Sequence, residues 1–217
     1  MTDRACEVQL EAGEVSLPGT LLLPDRMRGL VIFAHGSGSS RRSPRNRYVA
    51  EGLSRDCLAS LLFDLLTAEE ERVDARSRAL RFNIGMLGRR LGAVIDWADG
   101  SPALREQPIG LFGASTGAAA ALVAAAERPQ RVGAVVSRGG RPDLAAAALP
   151  RVRAPSLFIV GAADDVVIEL NRAAAEALAV EHRLELVAGA THLFEEPGAL
   201  EEVTRLASQW FLAHLGA

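Results

Sequence analysis

The sequence predicts an α/β protein with a mostly parallel central sheet covered by helices on both faces. Three observations predict it. Short apolar runs recur along the chain, each bounded by Gly, Pro or polar residues, as strands buried on both faces require. An amphipathic stretch at helical spacing follows most of them, and this alternation is the mark of a parallel sheet wrapped by helices. The length, 217 residues, suits one domain, expected to span residues 1–217, with a core large enough to need no staples.

The elements follow in order. Cys6 to Leu10 and Gly19 to Leu23 read as an antiparallel edge pair around a turn at Leu17-Pro18-Gly19. The parallel strands are Leu30 to Phe33, Ala59 to Phe63, Ile109 to Phe112, Val132 to Val136, Leu157 to Val160 and Leu184 to Val187. Helical spacing covers Pro44 to Leu58, Arg72 to Trp97, Thr116 to Glu127, Glu169 to Leu178 and Glu201 to His214. There is no repeat, linker or low-complexity segment.

Composition removes several function classes. Net charge is −3, so no field points to nucleic acid or a membrane surface. Met1 to Leu10 carries no basic and apolar leader pattern, and no apolar run reaches membrane-spanning length, so a cytoplasmic location is expected. Two cysteines, Cys6 and Cys57, make neither a disulfide framework nor a zinc site. All 24 basic residues are arginine. Without lysine there is no side-chain Schiff base and no P-loop.

Ligands of such sheets bind at the carboxyl ends of the strands. Ser115 stands there, in Gly113-Ala114-Ser115-Thr116-Gly117, between a strand and an Ala-rich helix. Small residues two before and two after a serine permit the sharp turn that lifts a nucleophile above the sheet. A plain small-residue turn is the alternative reading. Of four histidines, His192 alone lies on a loop after the last strand; His182 precedes a strand, His214 lies on the last helix and His35 follows the first central strand. The acid that orients a histidine base should follow Leu157 to Val160, where Asp164 and Asp165 stand, with Asp143 a further candidate. The order nucleophile, acid, base is the one found on α/β-hydrolases. An oxyanion hole would use the N–H of Thr116 and an N–H from the loop His35 to Ser40, with Ser37 favoured.

These residues resemble a family. His35-Gly-Ser-Gly-Ser-Ser-Arg41, Ser43-Pro-Arg-Asn46, Ser137-Arg-Gly-Gly-Arg-Pro-Asp143, Val160 to Val167 and Gly189 to Phe194 are similar to small α/β-hydrolases of the dienelactone-hydrolase-like group. Several of that group are fused to or associated with phosphoribosyltransferase domains, which implies a functional link of that kind. The resemblance runs from about Leu10 to the C-terminus. It implies the α/β-hydrolase fold and ester-like hydrolysis, and it selects Asp164 as the acid. Dienelactone hydrolases proper use a cysteine nucleophile where this chain has Ser115, so their substrate is not carried over.

The expected chemistry is acyl transfer on a small-molecule ester, with no metal and no organic cofactor, by a monomer or homodimer. The short gap between Val136 and Leu157 predicts no separate cap and an open, shallow site. Arg41, Arg42, Arg45, Arg138 and Arg141 are placed on loops at that end of the sheet; Arg42, Arg138 and Arg141, with His35, are candidate substrate contacts that would favour an anionic group. The plainer reading pairs these arginines with acids such as Asp143 or Glu69 to Glu71. A non-catalytic binding module on the same scaffold, or a thioesterase or peptidase, would use the same residues.

Overall fold

The computed structural model describes residues 4–215, so both ends of the expected 1–217 domain, with the first three residues of the Met1 to Leu10 stretch expected to carry no leader pattern, lie outside the described residues. Eight strands form one sheet in the order β1-β2-β4-β3-β5-β6-β7-β8. The strands are β1 (Arg4–Ala12), β2 (Val15–Leu23), β3 (Gly29–Ala34), β4 (Leu58–Phe63), β5 (Ile109–Ala114), β6 (Val132–Arg138), β7 (Ser156–Gly161) and β8 (His182–Val187). The β1–β2 and β2–β4 pairs are antiparallel and all others parallel. The helices are α1 (Pro44–Arg55), α2 (Ala68–Ser77), α3 (Ile84–Gly100), α4 (Thr116–Glu127), α5 (Asp165–Glu176) and α6 (Ala199–Leu215). None of the helices among the described residues is long and apolar enough to cross a membrane.

The apolar runs divide between two cores by strand alternation. Val31, Phe33, Phe112, Val136 and Ile159 face α1 and α6, while Ile32, Leu111, Val135 and Phe158 face α3, α4 and α5. The Phe33 and Phe112 rings sit 4.8 Å apart on neighbouring strands. Gly110 admits α6: a Cβ there would lie 2.6 Å from the Phe211 ring.

Three expectations need correction. The first turn is at Gly13-Glu14, with Gly13 at φ +73°, and Leu17-Pro18-Gly19 lies inside β2. Pro18 stands opposite Gln9 of β1, but its carbonyl turns the other way to accept the Asp64 N–H, so its missing N–H faces the side where pairing with β4 begins only at Gly19. The stretch Arg72 to Trp97 is two helices, broken at Arg78 to Asn83, where Arg78 adopts φ +55°. The helix predicted to Leu58 ends at Arg55, and Leu58 opens β4. Between β6 and β7 there are only two short 3₁₀ turns, Pro142–Ala145 and Leu149–Arg151, and no cap.

Candidate active site

Ser115 joins β5 to α4 at φ 51°, ψ −120°, a conformation costing an L-residue about 1–3 kcal/mol. The glycines two positions away are steric requirements. A Cβ on Gly113 would lie 2.3 Å from Ala118 Cα, and one on Gly117 would lie 2.2 Å from the Ala34 carbonyl oxygen. The strained turn is held by its neighbours. The Ser115 N–H donates to the Arg138 carbonyl and the Arg141 N–H donates to the Ser115 carbonyl, each at 3.1 Å.

His192 and Asp164 meet through loops packed on the ends of β7 and β8. Gly161 closes that packing, because a Cβ there would lie 2.4 Å from the Ala190 carbonyl oxygen. The Ala162 and Ala163 N–H groups donate to Val187 and Ala190. Asp164 is the N-cap residue of α5, yet its side chain makes no capping bond. Its Oδ2 accepts instead from His192 Nδ1 at 2.7 Å. That bond fixes the tautomer and leaves Nε2 as the free acceptor. The Ser115 hydroxyl makes no hydrogen bond to His192 among the described residues, so only the acid–base half of the expected line is formed; such bonds often tighten only with substrate present. Gly139, at φ +52°, links the two halves: it follows the carbonyl that holds Ser115, and a Cβ on it would lie 3.5 Å from His192 Cε1.

Beside this group lies a cavity of about 510 Å³ whose lining includes Ser37 and Thr116, the residues expected to offer oxyanion N–H groups. It is larger than the shallow site expected, because α2 and the start of α3 wall it.

The remaining predicted contacts divide. His35 is buried, and both ring nitrogens are engaged: Nε2 accepts the Leu65 N–H at 3.0 Å and Nδ1 donates to the Gly36 carbonyl at 2.9 Å. It therefore ties the loops after β3 and β4 together and has no polar atom left for a substrate. Arg141 pairs with Asp143 through two 2.8 Å bonds, which also removes Asp143 from the acids available to His192. Asp165 is the first residue of α5. Arg41 pairs with Asp64 and Glu7, and Arg45 with Glu195. Arg45 stands in the first turn of α1, and Arg138 ends β6, so neither is on a loop. Arg138 is buried away from the cavity. Arg42 lines the cavity and has no ion pair among the described residues. Glu69 and Glu70 pair with Arg72 and Arg90, not with the loop arginines.

Residues 45–212 match the model of the dienelactone hydrolase family. The chain belongs to that family. It is 56% identical over 209 residues to a Mycobacterium tuberculosis protein named "Putative phosphoribosyl transferase", covering 96% of this chain and 46% of that one. The chain thus spans about half the length of the curated relatives it matches. Among solved structures it is similar to a dienelactone hydrolase from Anabaena variabilis, at 56% identity and a TM-score of 0.96, over 98% of this chain and 99% of that one. Est1E from Butyrivibrio proteoclasticus shares the fold at 16% identity and a TM-score of 0.82, over 97% and 99% of the two chains. The fold is the α/β-hydrolase fold, and the family is one of hydrolases.

In this dienelactone hydrolase family member, two residues at the site escape sequence reasoning. Asp74 is buried; its Oδ1 accepts the Leu80 and Arg81 N–H groups, and its Oδ2 accepts Arg81 Nε at 2.5 Å. Burial alone would raise the Asp74 carboxyl, but the Arg81 guanidinium and these N–H groups outweigh it and hold it below its usual range. Arg81 is thereby pinned at the cavity wall, its Nη1 3.5 Å from where a Cβ on Gly38 would sit. No local signal could have found them: helical spacing runs on past Arg78, and residues 78–83 hold no glycine or proline.

Proposed function

We propose that the chain is a serine hydrolase that cleaves a small carboxylic ester through an acyl-enzyme. The observation that carries the reading is the 2.7 Å bond from His192 to Asp164, made on a loop that packs against Gly139 next to the strained Ser115 turn. In this mechanism Ser115 attacks the substrate carbonyl as His192 Nε2 takes its proton. Asp164 holds the ring and stabilises the imidazolium. The N–H groups of Thr116 and Ser37 stabilise the tetrahedral oxyanion, about 3 kcal/mol for each donor. Thr116 is the first residue of α4, where the N–H has no partner within the helix and the peptide dipoles favour negative charge. His192 then returns the proton to the leaving alcohol and activates the water that releases the acid. Thioester or peptide substrates would follow the same steps.

The phosphoribosyl transferase name of the longer relatives fits this reading if the matched half is the hydrolase and the transferase chemistry belongs to the remaining half. A functional link between the two activities is part of the proposal.

The test is a fluorophosphonate probe and a p-nitrophenyl ester panel on wild type and Ser115→Ala. The wild type is expected to be labelled at Ser115 and to turn over the esters. The variant is expected to lose labelling and at least about a thousandfold in kcat. Equal turnover in the variant would remove Ser115 from the mechanism.

A further inference from the structure

We infer that the cavity beside the Ser37 to Ser40 loop takes an uncharged, hydroxyl-rich part of the substrate, of the sugar or polyol class. This rests on the hydrolase reading above and names the substrate of the same site. The volume, about 510 Å³, lies in the range of small-ligand pockets.

The argument begins with charge. Four charged side chains line the cavity: Arg42, Glu71, Asp74 and Arg81. Asp74 and Arg81 neutralise each other. Arg42 and Glu71 remain, one of each sign, and neither has an ion pair among the described residues. Their charges sum to zero, so the cavity has no net preference for an anion or a cation. Both side chains are exposed, so a ligand there must replace the water on them, and their needs are opposite: the carboxylate only accepts and the guanidinium only donates. A hydroxyl satisfies either one, as donor to Glu71 or acceptor from Arg42.

The rest of the lining agrees. Ser37, Ser39 and Ser40 add three further hydroxyl-bearing residues along one wall, and Arg81 Nη1 reaches the same wall over Gly38. The floor is aliphatic, from the buried Leu65, Leu66 and Leu87. Among the described residues no Phe, Tyr or Trp lines the cavity, so an aromatic acyl group would find no ring there to stack on. A moiety with C–H groups on one face and hydroxyls at its edge matches both the floor and the wall.

The experiment compares four esters on the wild-type chain: methyl glucoside 6-acetate, hexyl acetate, a succinate monoester as the anionic arm and acetylcholine as the cationic arm. The sugar acetate is expected to exceed hexyl acetate in kcat/KM by at least about tenfold, through KM, the effect of one hydrogen bond to a charged group. Glu71→Ala and Arg42→Ala are each expected to cut that sugar-to-alkyl ratio by about tenfold. Glu69→Ala, on the same helix but paired outward with Arg72, should leave the ratio unchanged. A preference for the charged arms, or an unchanged ratio in both cavity variants, overturns the inference. If the wild type hydrolyses none of the esters and takes no probe, the hydrolase reading falls separately. Calorimetric titration of Ser115→Ala with methyl glucoside then decides the cavity: binding that Glu71→Ala abolishes supports it, and no binding overturns it.

Discussion

At position 138 a guanidinium is enclosed without an acid to meet it. Arg138 Nη2 donates to Asn46 Oδ1 at 3.3 Å, and its carbon lies 5.9 Å from the centre of the Phe194 ring. Nη1 is buried with no partner among the described residues. Burial, and then repulsion from Arg45, bring its pKa down to about 10, which keeps it charged at neutral pH. An enclosed charge without a counter-ion costs stability, and apolar replacement relieves that cost. Arg138→Met is expected to raise the unfolding free energy by about 1 kcal/mol or more, seen as a higher urea midpoint. It should lower kcat/KM, because the guanidinium lies against Phe194, on the turn that carries His192. His35 makes the opposite kind of prediction. Burial pushes its pKa down, more than the Gly36 carbonyl and Asp64 pull it up. The native state therefore refuses a proton that the unfolded chain accepts below its ordinary value, about 6.5. Stability from this residue is complete above that pH and is lost as pH falls toward the native value. Urea midpoints of wild type are expected to drop between pH 7.5 and 5.5 more steeply than those of His35→Gln. At this scale the meeting of His192 with Asp164 was legible, because chain order put both on loops at the strand ends and the family resemblance chose Asp164 over Asp165, and small-residue spacing marked the Ser115 turn. The roles of His35 and Arg141 were not, since a sequence shows a polar side chain but not which partner already occupies it.

Among the elements, α2 does most to shape the cavity and was the least legible. Its start is a capping box: Thr67 Oγ1 accepts the Glu70 N–H at 3.2 Å, and Glu70 Oε2 accepts the Thr67 N–H at 2.8 Å. Glu70 also takes two bonds from Arg90 of α3, which joins the two walls. Thr67→Ala is expected to cost about 1 kcal/mol in denaturant unfolding. The box was visible as Thr67 and Glu70 in the sequence, but helical spacing carried on past Arg78 and concealed the end of the helix. What ends it is tertiary: Asp74 gathers the N–H groups of Leu80 and Arg81. The N-terminal hairpin failed for the converse reason. Pro18-Gly19 is a strong local turn signal, and the pairing of β2 between two strands overrode it.

For the molecule as a whole, topology was the most legible property. Alternating strand and helix patterns fix a parallel sheet, and the carboxyl ends of its strands fix where chemistry can gather. With only two short turns between β6 and β7 among the described residues, no cap is inserted there. Turnover of p-nitrophenyl esters is therefore expected to fall steadily from acetate and butyrate to palmitate, with no jump in rate when the substrate passes its micellar concentration.

The segment after β6 touches both partners of the proposed proton transfer. It grips the nucleophile's backbone from two sides, and Gly139 rests against the imidazole. A methyl group added there would crowd the His192 carbonyl at 3.3 Å and strain a backbone held at φ +52°. The spacing of the proposed nucleophile and base thus runs through one short stretch of backbone, residues 138–141, on which both loops rest.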